Sequence, residues 1–173
     1  MSEQTQAKRQ PVVSETHQFL TFALGQEEYG VEILKIQEIK GFSQVTPLPN
    51  APPYVKGVLN LRGTIVPIVD LRKKFNLPEM EYTPFTVIVV VQVAGKTLGF
   101  IVDAVSDVLT VQGNAIQPTP DLHGQIDTAC LTGLAPTGEQ GEKLVILLDI
   151  DKVLTAGETA AAAQAAVESA LNN

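Results

Sequence analysis

Tryptophan is absent from this chain and aromatic residues make up only 5% of it, although 45% of its residues are hydrophobic. A core must therefore be built mainly from Val, Ile and Leu, which fit the half-buried surface of a pleated sheet. Cysteine occurs once, at Cys130, which excludes an intramolecular disulfide and a multi-cysteine metal site and fits a reducing compartment. Long apolar runs are missing too: the stretch Val87–Val91 is far short of a membrane span, and Met1–Gln10 is too polar for a signal peptide. A cytoplasmic protein with no direct membrane insertion is expected.

Positive charge is scarce. Twelve Lys and Arg against nineteen Asp and Glu leave a formal charge of -7, and only Arg72, Lys73 and Lys74 cluster. Such a surface repels a phosphate backbone, so nucleic acid is not an expected partner. Neither a Gly-rich phosphate loop ending in Lys-Ser or Lys-Thr nor a His-Glu-x-x-His zinc run occurs, and no cofactor or metal is expected. His123 and Cys130 could form a nucleophilic pair, but a loop histidine and a small buried thiol account for them more simply. Asp70, Asp103, Asp107, Asp149 and Asp151 could supply an acid/base pair or a hard-cation site. Against this, Asp70 and Asp149 each open a short helical run and read as N-caps, while Asp103 and Asp107 lie around a strand junction where turn and surface roles are the default. The residues point away from an enzyme.

Along the chain, polar Met1–Thr16 reads as a mobile arm, with order expected from near Phe19. Phe19–Leu24 and Tyr29–Val31 flank a Gly-Gln-Glu-Glu turn and read as a hairpin, and Ile33–Phe42 continues in strand-type residues. Prolines 47, 49, 52 and 53 bound a loop. Gly57–Leu61 and Thr64–Val69 come next, bent at Arg62-Gly63, before the helix opened by Asp70. The Ala-rich stretch 157–173 is compatible with a docked helix or a frayed tail.

The second half repeats this order. Phe19 corresponds to Phe85 (85 minus 19 is 66), Gly30 to Gly99 (69), Glu38 to Asp107 (69), Pro47 to Pro118 (71), Gly57 to Gly133 (76) and Asp70 to Asp149 (79). The offset grows in steps, as loop insertions between strands would make it. Two copies of a five-strand unit thus span roughly Phe19 to Leu154. A unit of about 65 residues buries only about 60% of its unfolded surface, so the copies should pack together. Closing each short-stranded sheet into a barrel would remove its edges. The pattern leaves open whether strands are exchanged between copies.

Alternation along Ile36–Phe42 places Ile36, Glu38, Lys40 and Phe42 on one face and Ile39 on the other. With Glu38 and Lys40 in water, Ile36 and Phe42 would be exposed apolar groups beside charges, the makeup of a docking surface, unless the strand end turns Ile36 inward. Val105, Asp107 and Leu109 have the same parity. Arg62, at a hairpin tip, is either a solubilising charge or a contact residue.

Three runs carry a resemblance: Glu28-Tyr-Gly-Val-Glu-Ile-Leu-Lys-Ile-Gln-Glu-Ile-Lys-Gly, Lys56-Gly-Val-Leu-Asn-Leu-Arg-Gly-Thr-Ile-Val-Pro-Ile-Val-Asp-Leu-Arg72, and Val102-Asp-Ala-Val-Ser-Asp-Val-Leu109. The chain resembles the CheW coupling proteins of bacterial chemotaxis over about Phe19 to Leu154. The resemblance implies a mainly β fold of two tandem SH3-like five-stranded barrels with short helices. It would comprise an arm at 1–16, a CheW-like domain at 17–156 with subdomains near 17–80 and 84–156, and a tail at 157–173. It further implies a non-enzymatic adaptor, and a monomer is expected when free. A groove between the barrels would receive the cytoplasmic tip of a methyl-accepting receptor at Ile33, Ile36, Glu38, Arg62 and Val108. End surfaces near Val45, Gly57 and Leu59, and near Pro118, Pro120 and Leu122, would bind the regulatory domain of the CheA histidine kinase. Gln117 and Leu122 depart from the basic and aromatic residues that some relatives carry there. Without a phosphotransfer, ATP-binding or receiver segment, the stand-alone adaptor is the expected form. A small-molecule carrier with a ligand between the barrels is the alternative, which would show an enclosed apolar pocket with converging polar groups.

Overall fold

A computed structural model describes residues 15–119 and 130–155. Ten strands dominate: β1 (Thr16–Leu24), β2 (Glu27–Glu32), β3 (Ile36–Gly41), β4 (Val55–Leu61), β5 (Thr64–Asp70), β6 (Val87–Val93), β7 (Lys96–Val102), β8 (Ala104–Gln112), β9 (Leu131–Thr137) and β10 (Lys143–Leu148). Two short helices, α1 (Leu71–Lys74) and α2 (Ile150–Thr155), come after β5 and β10. Asp70 caps α1, its carboxylate accepting from the backbone N–H of Arg72 and Lys73. Asp149 does the same for α2 through Lys152 N–H at 3.2 Å.

The strands form two five-stranded sheets, ordered β8-β1-β2-β10-β9 and β3-β6-β7-β5-β4. Adding five to the strands of the first repeat, and subtracting five from those of the second, converts one order into the other. Each sheet takes two strands from one repeat and three from the other, so exchange between the copies is complete and reciprocal. The division at about 80 to 84 therefore separates the two repeats in sequence but does not separate the two sheets.

Each sheet closes on itself at one additional bridge. Thr46 and Val58 exchange backbone hydrogen bonds of 2.9 and 2.8 Å, and Gln117 and Leu134 exchange two of 2.8 Å. These bridges are repeat-equivalent, and so are the glycines beside them. A Cβ on Gly57 would stand 2.2 Å from the carbonyl oxygen of Thr46, and one on Gly133 would stand 2.7 Å from that of Gln117. Only a residue without a side chain lets the backbones approach this closely.

Three apolar clusters fill the molecule. Val66, Ile68, Ile88, Val90 and Ile101 fill one barrel, and Phe19, Val111, Ala135, Val145 and Leu147 fill the other. The largest cluster lies between them, where Leu20, Phe22, Leu24, Tyr29 and Val31 meet Val69, Val89, Val91, Leu98 and Phe100. Phe22 contacts Phe100 and Tyr29 with ring centroids 5.6 and 6.1 Å apart. Alternate residues of β1 and of β6 thus serve different cores, which explains why β6 reads as an unbroken aliphatic run.

Some expectations are corrected. β1 begins at Thr16 rather than near Phe19, because His17 and Gln18 pair with Val111 and Thr110 of β8. Ile33–Lys35 forms a 3₁₀ turn, not a continuation of the strand. The arm to residue 14, the stretch from 156 onward and His123 lie outside the described residues.

Candidate protein-docking surface

On β3 the expected faces are reversed. A register irregularity between Ile36 and Glu38 leaves Gln37 as an extra residue, so Ile36 pairs with Val91 and Glu38 with Val90. That bulge shifts the parity of every later residue in the strand. Ile36 packs on the core between the barrels, Phe42 packs on the neighbouring cluster and against the Tyr82 ring at 4.3 Å, and Ile39 is the apolar residue left 43% exposed. The repeat-equivalent strand β8 has the same irregularity at Ser106, where Thr21 Oγ1 accepts from Asp107 N–H at 3.1 Å and faces its carbonyl at the same distance. Val105 and Leu109 are accordingly half-buried, and Val108 is exposed to the same 43% as Ile39. Ile39 and Val108 are equivalent positions (108 minus 39 is 69).

The five positions expected at a receptor spread over both repeats. Ile33 opens the 3₁₀ turn and is half-buried, Ile36 starts β3, Glu38 lies two residues on, Arg62 stands at the β4–β5 tip and Val108 lies on β8. Glu38 and Arg62 meet: the guanidinium Nη1 donates to Oε2 at 3.3 Å and Nη2 to Oε1. The Arg62 side chain is 73% exposed and that of Glu38 is 28% exposed. The hydrogen bond from Arg62 holds the Glu38 carboxyl below its ordinary pKa, and the same contact raises that of Arg62. Arg62 has φ of 51° and Gly63 of 89°, which makes the tip a two-residue turn of the kind whose twist matches a hairpin. Asn60 Oδ1 accepts from Gly63 N–H at 2.9 Å and fixes it.

Ile33 also lines an open cleft of about 240 Å³ with His17, Gln18, Leu34 and Thr110. Thr110 lies two residues along β8 from Val108 and therefore on the same face. The cleft thus joins the β2–β3 turn of one repeat to β8 of the other. Leu34, 90% exposed, stands at its rim.

The positions expected at a kinase divide between the ends of the barrels. Val45 is buried, Gly57 sits at the closing bridge and Leu59 packs on the core of that barrel. Pro118 is exposed at the equivalent end of the other barrel, beside the Gln117 bridge. Pro120 and Leu122 lie outside the described residues.

No group of three or more His, Cys, Asp or Glu side chains that could hold a metal ion occurs among the described residues. Cys130 is buried and its carbonyl accepts from Asp149 N–H. Asp103, expected at a turn or surface, instead accepts from Arg72 Nε and Nη2 at 2.8 and 2.7 Å. The space that a small molecule between the barrels would need is filled by Phe22, Tyr29 and Phe100, all buried. No helix among the described residues is long and apolar enough to cross a membrane.

Alternation with Glu38 and Lys40 in water would bury Ile39; in the structure the bulge sets Ile39 on the same side of the sheet as Ile36, opposite Val89, and it stays exposed. The repeat carries the signal, since Ile39 is the equivalent of Val108. Exposed Ile65 and Leu144 form another such pair (144 minus 65 is 79).

Comparison with known proteins agrees with this architecture. Residues 18–158 match the family model for the CheW-like domain. The chain is 48% identical over 143 residues to the chemotaxis protein CheW of Klebsiella aerogenes, covering 83% of this chain and 84% of that one. It is 40% identical to the chemotaxis protein CheW of Rhizobium meliloti, covering 84% and 92% respectively. Among solved structures, the scaffolding protein TtCheW of Thermoanaerobacter tengcongensis superposes with a TM-score of 0.73 at 31% identity, covering 81% of this chain and 88% of that one.

Proposed function

The chain belongs to the CheW-like family and is a chemotaxis scaffold, not an enzyme, and from that premise we propose that it couples methyl-accepting receptors to the CheA histidine kinase. The receptor tip docks along the groove edged by Ile33, Ile36, Glu38, Arg62 and Val108. The kinase regulatory domain docks at the barrel ends, near Val45, Gly57 and Leu59 and near Pro118, Pro120 and Leu122. The protein works in the cytoplasm and is recruited to receptor arrays. The observation that carries this reading is the exposed apolar Val108 on the face that adjoins the Ile33 cleft, with the Glu38–Arg62 pair on the other barrel: an apolar centre with a charged rim suits protein recognition.

The work done is geometric. A scaffold that holds two partners at a fixed distance and angle lets a small movement of one bias the other, provided each state makes different contacts. Its stiffness comes from the aromatic cluster between the barrels and the exchanged strands.

Kinase autophosphorylation in receptor-containing membranes tests the proposal. Activity should rise and become attractant-sensitive with the wild-type protein, and Arg62→Ala or Val108→Glu should weaken both effects while the fold stays intact. An unresponsive kinase in the presence of folded protein and cognate partners would sink it.

A further inference from the structure

The chain crosses between the barrels twice, once at the turn Ile33–Lys35 and once at Asp103, and each crossing is held by an ion pair to the helix that ends the barrel the chain is leaving. Lys35 Nζ meets Asp151 Oδ2 of α2 at 2.6 Å, and Arg72 of α1 meets Asp103 at 2.7 Å. Asp103 also accepts from Gly25 N–H at 2.8 Å, which ties the β1–β2 turn to the same cluster. The helix residues are repeat-equivalent (151 minus 72 is 79). Lys35 lies one residue past the position aligned with Asp103 (103 minus 69 is 34), a shift its long stem can span. The two pairs match in place but carry their charges in opposite order. One has a cationic helix and an anionic crossing, and the other has an anionic helix and a cationic crossing.

We propose that this reversal is a pairing code: it makes each repeat complementary to the other and repulsive toward a second copy of itself. Strand order and apolar spacing cannot make that distinction, since the two sheets are built alike. If the first repeats of two chains paired with each other, Arg72 of each would face Lys35 of the other, cation against cation. Pairing between two second repeats would set Asp151 against Asp103, anion against anion. Fully exchanged strands make such mispairing a hazard during folding, because either repeat offers the same unsatisfied edges. Like charges at matched positions reject the wrong pairing, while opposite charges in the right one fix it. The Arg72–Asp103 pair contributes most, with side chains only 12% and 16% exposed, against 40% for each member of the other pair.

The test uses the full chain and the more exposed pair. Lys35→Glu with Asp151→Lys keeps the intrachain ion pair but makes each repeat complementary to itself. After urea denaturation and refolding at high protein concentration, light scattering on a sizing column should show at least a roughly threefold rise over wild type in dimers and larger species. The rise should shrink in about 1 M salt, where the screening length is about 3 Å. Lys35→Gln with Asp151→Asn removes the same ion pair without making either repeat complementary to itself, and should raise these species less than the charge-swapped variant does. An unchanged distribution in the charge-swapped variant overturns the proposal, and so does an equal rise in the neutralised one, since that would be simple loss of the ion pair. No receptor or kinase is present, so the result is independent of the coupling reading.

Discussion

Truncating Asp103 to alanine should be among the most costly polar substitutions in this protein. It removes both acceptors of the Arg72 guanidinium and the acceptor of Gly25 N–H. Arg72 would keep only the Pro78 carbonyl at 2.7 Å and the Met80 sulfur at 3.3 Å. Breaking a fully buried pair costs about 3–5 kcal/mol, and the residual exposure of these side chains lowers the expected loss to about 2–3 kcal/mol. With a urea slope of about 2 kcal/mol per M, the unfolding midpoint should fall by about 1–1.5 M, as followed by circular dichroism. Burial pushes the Asp103 carboxyl up, but the Arg72 hydrogen bonds, the Gly25 N–H and the Arg72 charge outweigh it and hold the pKa below its ordinary value. A folded pKa below the unfolded one means that the stabilisation is complete above the unfolded value, about 3.9, and is lost as pH falls through the folded one. The gap between wild type and variant should therefore be constant from about pH 6 to 8 and close in acid below about pH 4. Replacing both partners, Arg72→Met with Asp103→Leu, should lie nearer wild type than Asp103→Ala alone. A midpoint shift below about 0.3 M, or a gap indifferent to acid, would refute the reasoning.

Gly57→Ala and Gly133→Ala should each open a barrel at its closing bridge, costing about 2 kcal/mol or more, with faster amide exchange at Thr46 and Val58 in the first and at Gln117 and Leu134 in the second. Arg62→Asn suits the positive φ of the tip and removes the ion pair with Glu38, so melting temperature should hold or rise while receptor co-sedimentation drops. Tyr82, with its pKa pushed up to about 12 by burial and by Asp70, should contribute a late step in an ultraviolet phenolate titration that shrinks in Tyr82→Phe, burial and Glu27 raising Tyr29 as well. Because the Tyr82 pKa is raised on folding, its stabilising contribution is full below about pH 10 and fades as pH climbs through 12. Ile39→Glu and Val108→Glu, at equivalent exposed positions, should leave urea midpoints almost unchanged, whereas loss of receptor binding in the Val108 variant alone would assign the groove to the β8 side.

Composition, repeat and turn chemistry were sufficient to indicate the ten strands, because each rests on local rules. The β1–β2 and β4–β5 hairpins arise from strand-type residues on either side of Gly25 and Arg62-Gly63, and α1 from a carboxylate placed to accept free N–H groups. The repeat offsets alone equate Glu38 with Asp107 and Asp70 with Asp149. What local rules cannot carry is which copy a strand joins, since either repeat offers the same hydrogen-bonding edge and the same apolar spacing. Only in the folded molecule, with Phe22, Tyr29 and Phe100 packed between the barrels, do β1 and β2 stand beside β8, β9 and β10. The bulges at Gln37 and Ser106 are likewise tertiary: an extra residue in a strand has no local signature, yet it sets Ile36 and Ile39 on one side of the sheet, opposite Val91 and Val89, where alternation alone would part them. Asp103 and Arg72, 31 residues apart in sequence, become a buried pair only once the crossing is made. Backbone preference and side-chain period act over a few residues, so the elements and their order are written along the chain. Burial and charge act through space, so strand partners, exposed faces and ion pairs exist only in the folded molecule.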